Sequence, residues 1–148
     1  MMDRVSKMEW LRRVVTGEAD PPPVAKLIGF KLVEIEEGRS VIEFKAKPRH
    51  WNPQGTLHGG VTCDIADAAM GMAYASTLDA DASFTTIELK INYLRPVREG
   101  LLKATGTVVR AGRTIGYTEC DVTDAEGRLM AKATSTLMRL PLSSSYLP

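Results

Sequence analysis

The chain has 148 residues, and its 19 Lys and Arg offset 18 Asp and Glu to leave a formal charge of +1. That length gives one domain with a real core, and the near-zero charge excludes nucleic-acid binding driven by bulk electrostatics. Cys63 and Cys120 lack metal-ligand spacing and read as buried free thiols of a reducing compartment. No signal-peptide core and no bilayer-length apolar run is present, so the expected location is the cytoplasm, away from membranes.

Asp3–Thr16 places Val5, Met8, Leu11 and Val15 near helical spacing, with Gly17 as a stop; this predicts a short amphipathic helix packed on the domain. Pro21-Pro22-Pro23 separates it from a helical turn over Val24–Ile28. Phe30–Ile35 and Ser40–Ala46 form a predicted hairpin turning at Glu37-Gly38-Arg39, and Lys47–Leu57 is loop. A helix from about His58 to Thr77 is apolar on nearly every side and is therefore expected to be buried. Four strands follow at Ser83–Leu94, Leu101–Arg110, Thr114–Thr123 and Leu129–Leu140. In the first, alternation sets Thr85, Ile87, Leu89, Ile91 and Tyr93 on one face and Thr86, Glu88, Lys90 and Asn92 on the other. The tail from Pro141 is expected to fray. The predicted class is α+β: one helix wrapped by a curved antiparallel sheet. Residues 1–22 form an N-terminal helical extension and linker, 23–141 the domain, and 142–148 the tail.

The chemistry concentrates between Asn52 and Asp67. Gly59 and Gly60 stand where loop becomes helix, and the first N–H groups of a helix have no internal partner. Such an end stabilises an oxygen that becomes anionic, and glycine lets a substrate approach the backbone. Gly-Gly alone makes a sharp turn; with Asp67 nine residues after His58, it reads as an oxyanion hole. Asp67 lies too deep in an apolar helix to serve merely as a first-turn charge. Asp64, three residues before Asp67, shares its helix face. Either the two form a carboxylate pair with one held protonated, or, the favoured reading, Asp64 is a charge near the helix start and Asp67 alone reaches the site. His58 is a general base or, because a helix N-terminus disfavours its charged form, a neutral donor shaping the turn. Asn52 and Gln54 supply either turn chemistry or, for Asn52, orientation of a water. His58, Asp64 and Asp67 lack a firm third or fourth ligand for zinc, so no metal is expected. Serine-elbow, phosphate-loop and dinucleotide glycine motifs are absent from the sequence.

Asn52-Pro-Gln-Gly55-Thr-Leu-His58-Gly59-Gly60 followed by Asp67 resembles the signature of the phenylacetic-acid-type (PaaI-like) hotdog thioesterases. Ile91-Asn-Tyr-Leu-Arg-Pro96 and the run from Gly112-Arg113 to Thr136 resemble them too, so the similarity covers about residues 25–140. The resemblance implies a hotdog fold, hydrolysis of acyl-CoA thioesters, and a homodimer or homotetramer with sites at the dimer interface. In that scheme Asp67 is base or nucleophile, the Gly59 amide holds the thioester oxygen, Asn52 places the water, and Thr86 supplies a hydroxyl. Gly55 and Gly60 contact the substrate. Arg95, Arg110, Arg113 and Arg139 are candidate contacts for the CoA phosphates or solvated surface charges, and Arg113 is preferred because it follows a glycine in a tight turn. Coenzyme A enters as part of the substrate, with no other cofactor and no nucleic-acid partner.

Two rivals differ in chemistry. A hotdog acyl-thioester dehydratase would set His58 and Asp67 across a β-carbon. A non-catalytic acyl-CoA sensor would keep the pocket but has no need of Asp67.

Overall fold

The computed structural model describes residues 6–142. The elements are α1 (Lys7–Thr16), α2 (Pro23–Ile28), β1 (Phe30–Glu36), β2 (Arg39–Ala46), a 3-10 turn (Pro48–His50), α3 (Gly59–Ala75), β3 (Ala82–Tyr93), β4 (Gly100–Ala111), β5 (Ile115–Asp124) and β6 (Leu129–Pro141). The strands form one six-stranded antiparallel sheet in the order β1-β2-β4-β5-β6-β3, wrapped around α3 as the sequence predicts.

The sheet curves around α3 because that helix has a narrow flank. Ala66, Ala69 and Ala73 are fully buried, and Gly106 of β4 meets the helix backbone. A Cβ at Gly106 would lie 2.4 Å from the Ala69 carbonyl carbon, so any larger residue would drive helix and sheet apart. Ser40 of β2 fixes the same level by donating to the Ala69 carbonyl at 2.7 Å inside the core. Ile42, Phe44, Ile65, Met70, Leu102 and Val122 fill the space between the layers.

Leu11 of α1 is 1% exposed and belongs to this core, so the N-terminal helix is anchored rather than appended. Ser6 caps it by accepting from the Glu9 amide, and Gly17 closes it with φ 80°. The residues before Ser6, including Val5, lie outside the described residues. So does the tail beyond 142, although β6 runs through Pro141, where fraying was expected to begin. Among the described residues, no helix is long and apolar enough to cross a membrane.

Candidate active site

His58 caps α3 and organises its first turn. Its Nδ1 accepts from the Gly60 amide at 2.9 Å, and its carbonyl accepts from the Val61 amide at 3.0 Å. The imidazole therefore shapes the turn through its acceptor nitrogen, Nδ1. Gly60 is thereby occupied. Among the described residues the Gly59 amide, at the first helical position, has no acceptor. It is the free donor of this turn.

Tyr93, at the end of β3, holds the same glycine from behind. Its hydroxyl donates to the Gly59 carbonyl at 2.8 Å and lies 3.3 Å from Cys63 Sγ. Burial of the hydroxyl first, and Cys63 second, push its pKa up to about 12, so it stays protonated. A Cβ at Gly59 would meet the Tyr93 Oη at 2.8 Å and Cζ at 2.9 Å. Cys63 is thus half-buried beside the turn, not sealed in the core as expected; Cys120 is sealed, and burial pushes its thiol up to about 12.

The preceding loop is tied by Asn52. Its Oδ1 accepts from the amides of Gln54 (3.0 Å) and Thr56 (3.1 Å), and its Nδ2 donates to Thr56 Oγ1 (3.0 Å). This is turn chemistry. Gly55 serves the same turn, with φ 74° and its amide on the Asn52 carbonyl. Asn52 and Gly59, with Tyr93 and Arg95, line one depression of about 380 Å³; Gly55 does not.

Asp67 opens elsewhere. It is half-buried and faces a cavity of about 340 Å³ with Thr86, Phe84 and Met72. Thr86 Oγ1 donates to Asp67 Oδ1 at 3.1 Å. Simple alternation put Thr86 on the outer face of β3, and the structure corrects that. The β3–β6 register shifts between Thr86 and Glu88, leaving Ile87 as a bulge that is 55% exposed. The extra residue reverses the facing, so Thr86 points inward before it and Leu89 and Ile91 after it. Asp64 is also corrected: it lines the Asp67 cavity rather than serving only the helix start. Asp64 is exposed at the rim of that cavity, and partial desolvation first, with the neighbouring Asp67 charge second, raises its pKa.

Gly59 and Asp67 therefore sit in two separate depressions. Eight residues of helix place them about 12 Å apart along its axis. Arg113 joins neither: it lies in the β4–β5 turn, in a surface hollow shared with Arg139. Of the apolar residues near the motif, Met70 and Tyr74 are core and Met72 lines the Asp67 cavity. Trp51 instead ties its Nε1 to the Arg98 carbonyl at 2.7 Å.

Residues 54–131 match the profile of the thioesterase superfamily, a span that holds the glycine turn, Asp67 and Thr86. The chain belongs to the thioesterase superfamily. It is a thioester hydrolase with the hotdog fold. Acyl-coenzyme A thioesterase 13 of Homo sapiens is 30% identical over 134 residues, covering 88% of this chain and 95% of that one. The 1,4-dihydroxy-2-naphthoyl-CoA hydrolase of Listeria monocytogenes is 27% identical over 74% of this chain and 89% of its own. A phenylacetic acid degradation-related protein of Ralstonia eutropha superposes with a TM-score of 0.79 at 30% identity, covering 87% and 98% of the two chains.

Two residues of this thioesterase's candidate site were not singled out from sequence. Tyr93 stood in a strand face, with no local sign that it would reach back to Gly59. Trp10 of α1 lies far from the motif in sequence but lines the Asp67 cavity.

Proposed function

We propose that the chain hydrolyses acyl-CoA thioesters in a site assembled from two copies, with Gly59 contributed by one and Asp67 by the other. The observation that carries this reading is the separation of the two groups. A thioester carbonyl needs its oxyanion donor and its attacking group within about 3 Å of neighbouring atoms. The roughly 12 Å of helix between Gly59 and Asp67 in one chain leaves no such position. A second copy supplies it. The edge strand β3 carries exposed Ile87 and Tyr93 and offers unpaired backbone for antiparallel pairing. Joining two β3 edges brings each Asp67–Thr86 pair toward the partner's glycine turn.

In that site the Gly59 N–H receives the thioester oxygen as it becomes anionic. Thr86 holds Oδ1 of Asp67, which leaves Oδ2 to act. As a base, Asp67 takes a proton from water while the water oxygen bonds to the acyl carbon. The C–S bond then breaks, and the CoA thiolate leaves and takes up a proton. As a nucleophile, Asp67 itself bonds to the acyl carbon and expels the thiolate, and water cleaves the resulting anhydride. Unlabelled product acid from a single turnover in heavy-oxygen water identifies the nucleophile route, because attack of water on the Asp67 carbon of the anhydride leaves the label on Asp67 and ordinary oxygen in the product. Asn52 shapes the turn that presents Gly59, and Arg95 stands beside that turn as a cation for the phosphates of CoA.

The test is release of free thiol from hexanoyl-CoA by the purified protein. Wild type turns over, whereas Asp67→Asn, which can neither accept the proton nor attack, retains the fold and loses most activity. Turnover of a folded Asp67→Asn protein at the wild-type rate would contradict the reading and direct attention to Asp64.

A further inference from the structure

We infer that α1 is a fixed wall of the acyl chamber and that its Trp10 sets the size of the acyl group accepted, which is uncharged and apolar. The inference rests on the proposed acyl-CoA hydrolysis, because it assigns the cavity beside Asp67 to the acyl group.

Trp10 and Leu11 are successive residues with opposite fates. Leu11 is 1% exposed in the core, whereas Trp10 is 38% exposed and lines the cavity that holds Asp67 and Thr86. Burial of the first fixes the direction of the second. The helix is held at its other points too. Val14 and Val15 pack on the core, and Lys7 Nζ donates to the carbonyls of Asp79 (3.2 Å) and Ala80 (3.4 Å) in the loop after α3. The chain then returns through Pro22 and Val24, which line the same cavity, with proline limiting backbone freedom. Phe84, Met72 and Gly71 line the same cavity. A Cβ at Gly71 would sit 3.3 Å from Phe84 Cζ, so the glycine lets that ring lie against α3 and leaves the chamber open.

The lining also defines what enters. Among the described residues that line it, Asp64 and Asp67 are the charged ones and none is cationic, while Thr86 and the Trp10 indole N–H are neutral polar groups. A distal carboxylate on the acyl group would meet two acids and no counter-charge. The part of the chamber that discriminates size comes from residues before 54, outside the segment matched by the superfamily profile. Members that share Asp67 and the glycine turn can therefore differ in the acyl group they accept.

The experiment compares wild type with Trp10→Ala across straight-chain acyl-CoAs from butanoyl to hexadecanoyl, and hexanoyl-CoA with adipoyl-CoA, its counterpart bearing a terminal carboxylate. Trp10 is partly exposed, so its truncation leaves the fold intact. Trp10→Ala should shift kcat/KM toward longer chains by roughly tenfold relative to butanoyl-CoA, the scale set by one or two methylenes in an apolar pocket. Adipoyl-CoA should be the poorer substrate for both proteins. A binding readout runs in parallel: a non-hydrolysable octanoyl-CoA thioether should quench the fluorescence of a Trp51→Phe protein, whose one remaining tryptophan is Trp10. If wild type hydrolyses acyl-CoA but the Trp10→Ala profile superimposes on its own, the chamber assignment is overturned and the hydrolase reading stands. Absence of turnover with Trp10-dependent quenching intact overturns the hydrolase reading and keeps the chamber.

Discussion

Thr86 reaches Asp67, with 3.1 Å between the hydroxyl and Oδ1, because β3 carries one extra residue at Ile87. The contact places a neutral donor on the carboxylate proposed to do the chemistry. A hydrogen bond to a charged group contributes about 1.5–3 kcal/mol. Thr86→Val should therefore lower kcat by roughly tenfold or more with KM little changed, and Thr86→Ser should restore it. Steady-state kinetics of the two variants check this; an unchanged kcat in the valine protein removes Thr86 from the account.

Tyr93 makes the second prediction, and it changes how substitutions at Gly59 are interpreted. A side chain at 59 collides with Tyr93 before it meets any substrate. Tyr93→Phe should cost about 0.5–1.5 kcal/mol through loss of the hydrogen bond to the Gly59 carbonyl, seen as a few-fold fall in kcat. A double-mutant cycle separates the two demands on Gly59. If crowding by Tyr93 is the main one, Gly59→Ala is severe in wild type and milder beside Tyr93→Ala. Equal severity in both backgrounds would mean that the glycine is needed for substrate alone.

Asp64 gives a prediction in pH. Partial desolvation and the Asp67 charge raise its pKa on folding, so the folded state holds the proton more tightly than the unfolded chain. Stability contributed by this group is therefore greatest at low pH. It falls as pH rises from the unfolded value of about 3.9 to the raised folded value, and stays lost above that. Asp64→Asn should raise the melting temperature at neutral pH, with the difference shrinking toward acid. Thermal melts across pH check the sign; a melting temperature lowered at neutral pH by the substitution would contradict it.

Sequence made the fold legible because the signals were periodic and local. The all-round apolar run predicted α3 to within two residues at each end, and the strands lie close to their predicted spans. Alternation failed where one inserted residue reversed it, at Ile87, so Thr86 was placed on the wrong face. The glycine turn was legible because helix starts leave free amides, yet the acceptor role of His58 and the loop-tying role of Asn52 depend on side-chain directions that spacing does not specify. Tyr93 and Trp10 are long-range neighbours of the motif, 34 residues from Gly59 in the first case, and no local pattern connects them.

The composite site is the central claim, and mixing two defective proteins tests it most directly. Gly59→Ala lacks a sound oxyanion turn, and Asp67→Asn lacks the acting carboxylate; each is checked for folding by its melting temperature. When they are denatured together and refolded at equal amounts, half of the dimers contain one of each. In these, one site combines the intact Gly59 of one copy with the intact Asp67 of the other, while the second site is doubly defective. Thiol release from hexanoyl-CoA should recover to about a quarter of the wild-type rate, as random pairing in a two-fold dimer requires. A mixture no more active than the average of its two components would contradict a site shared between copies.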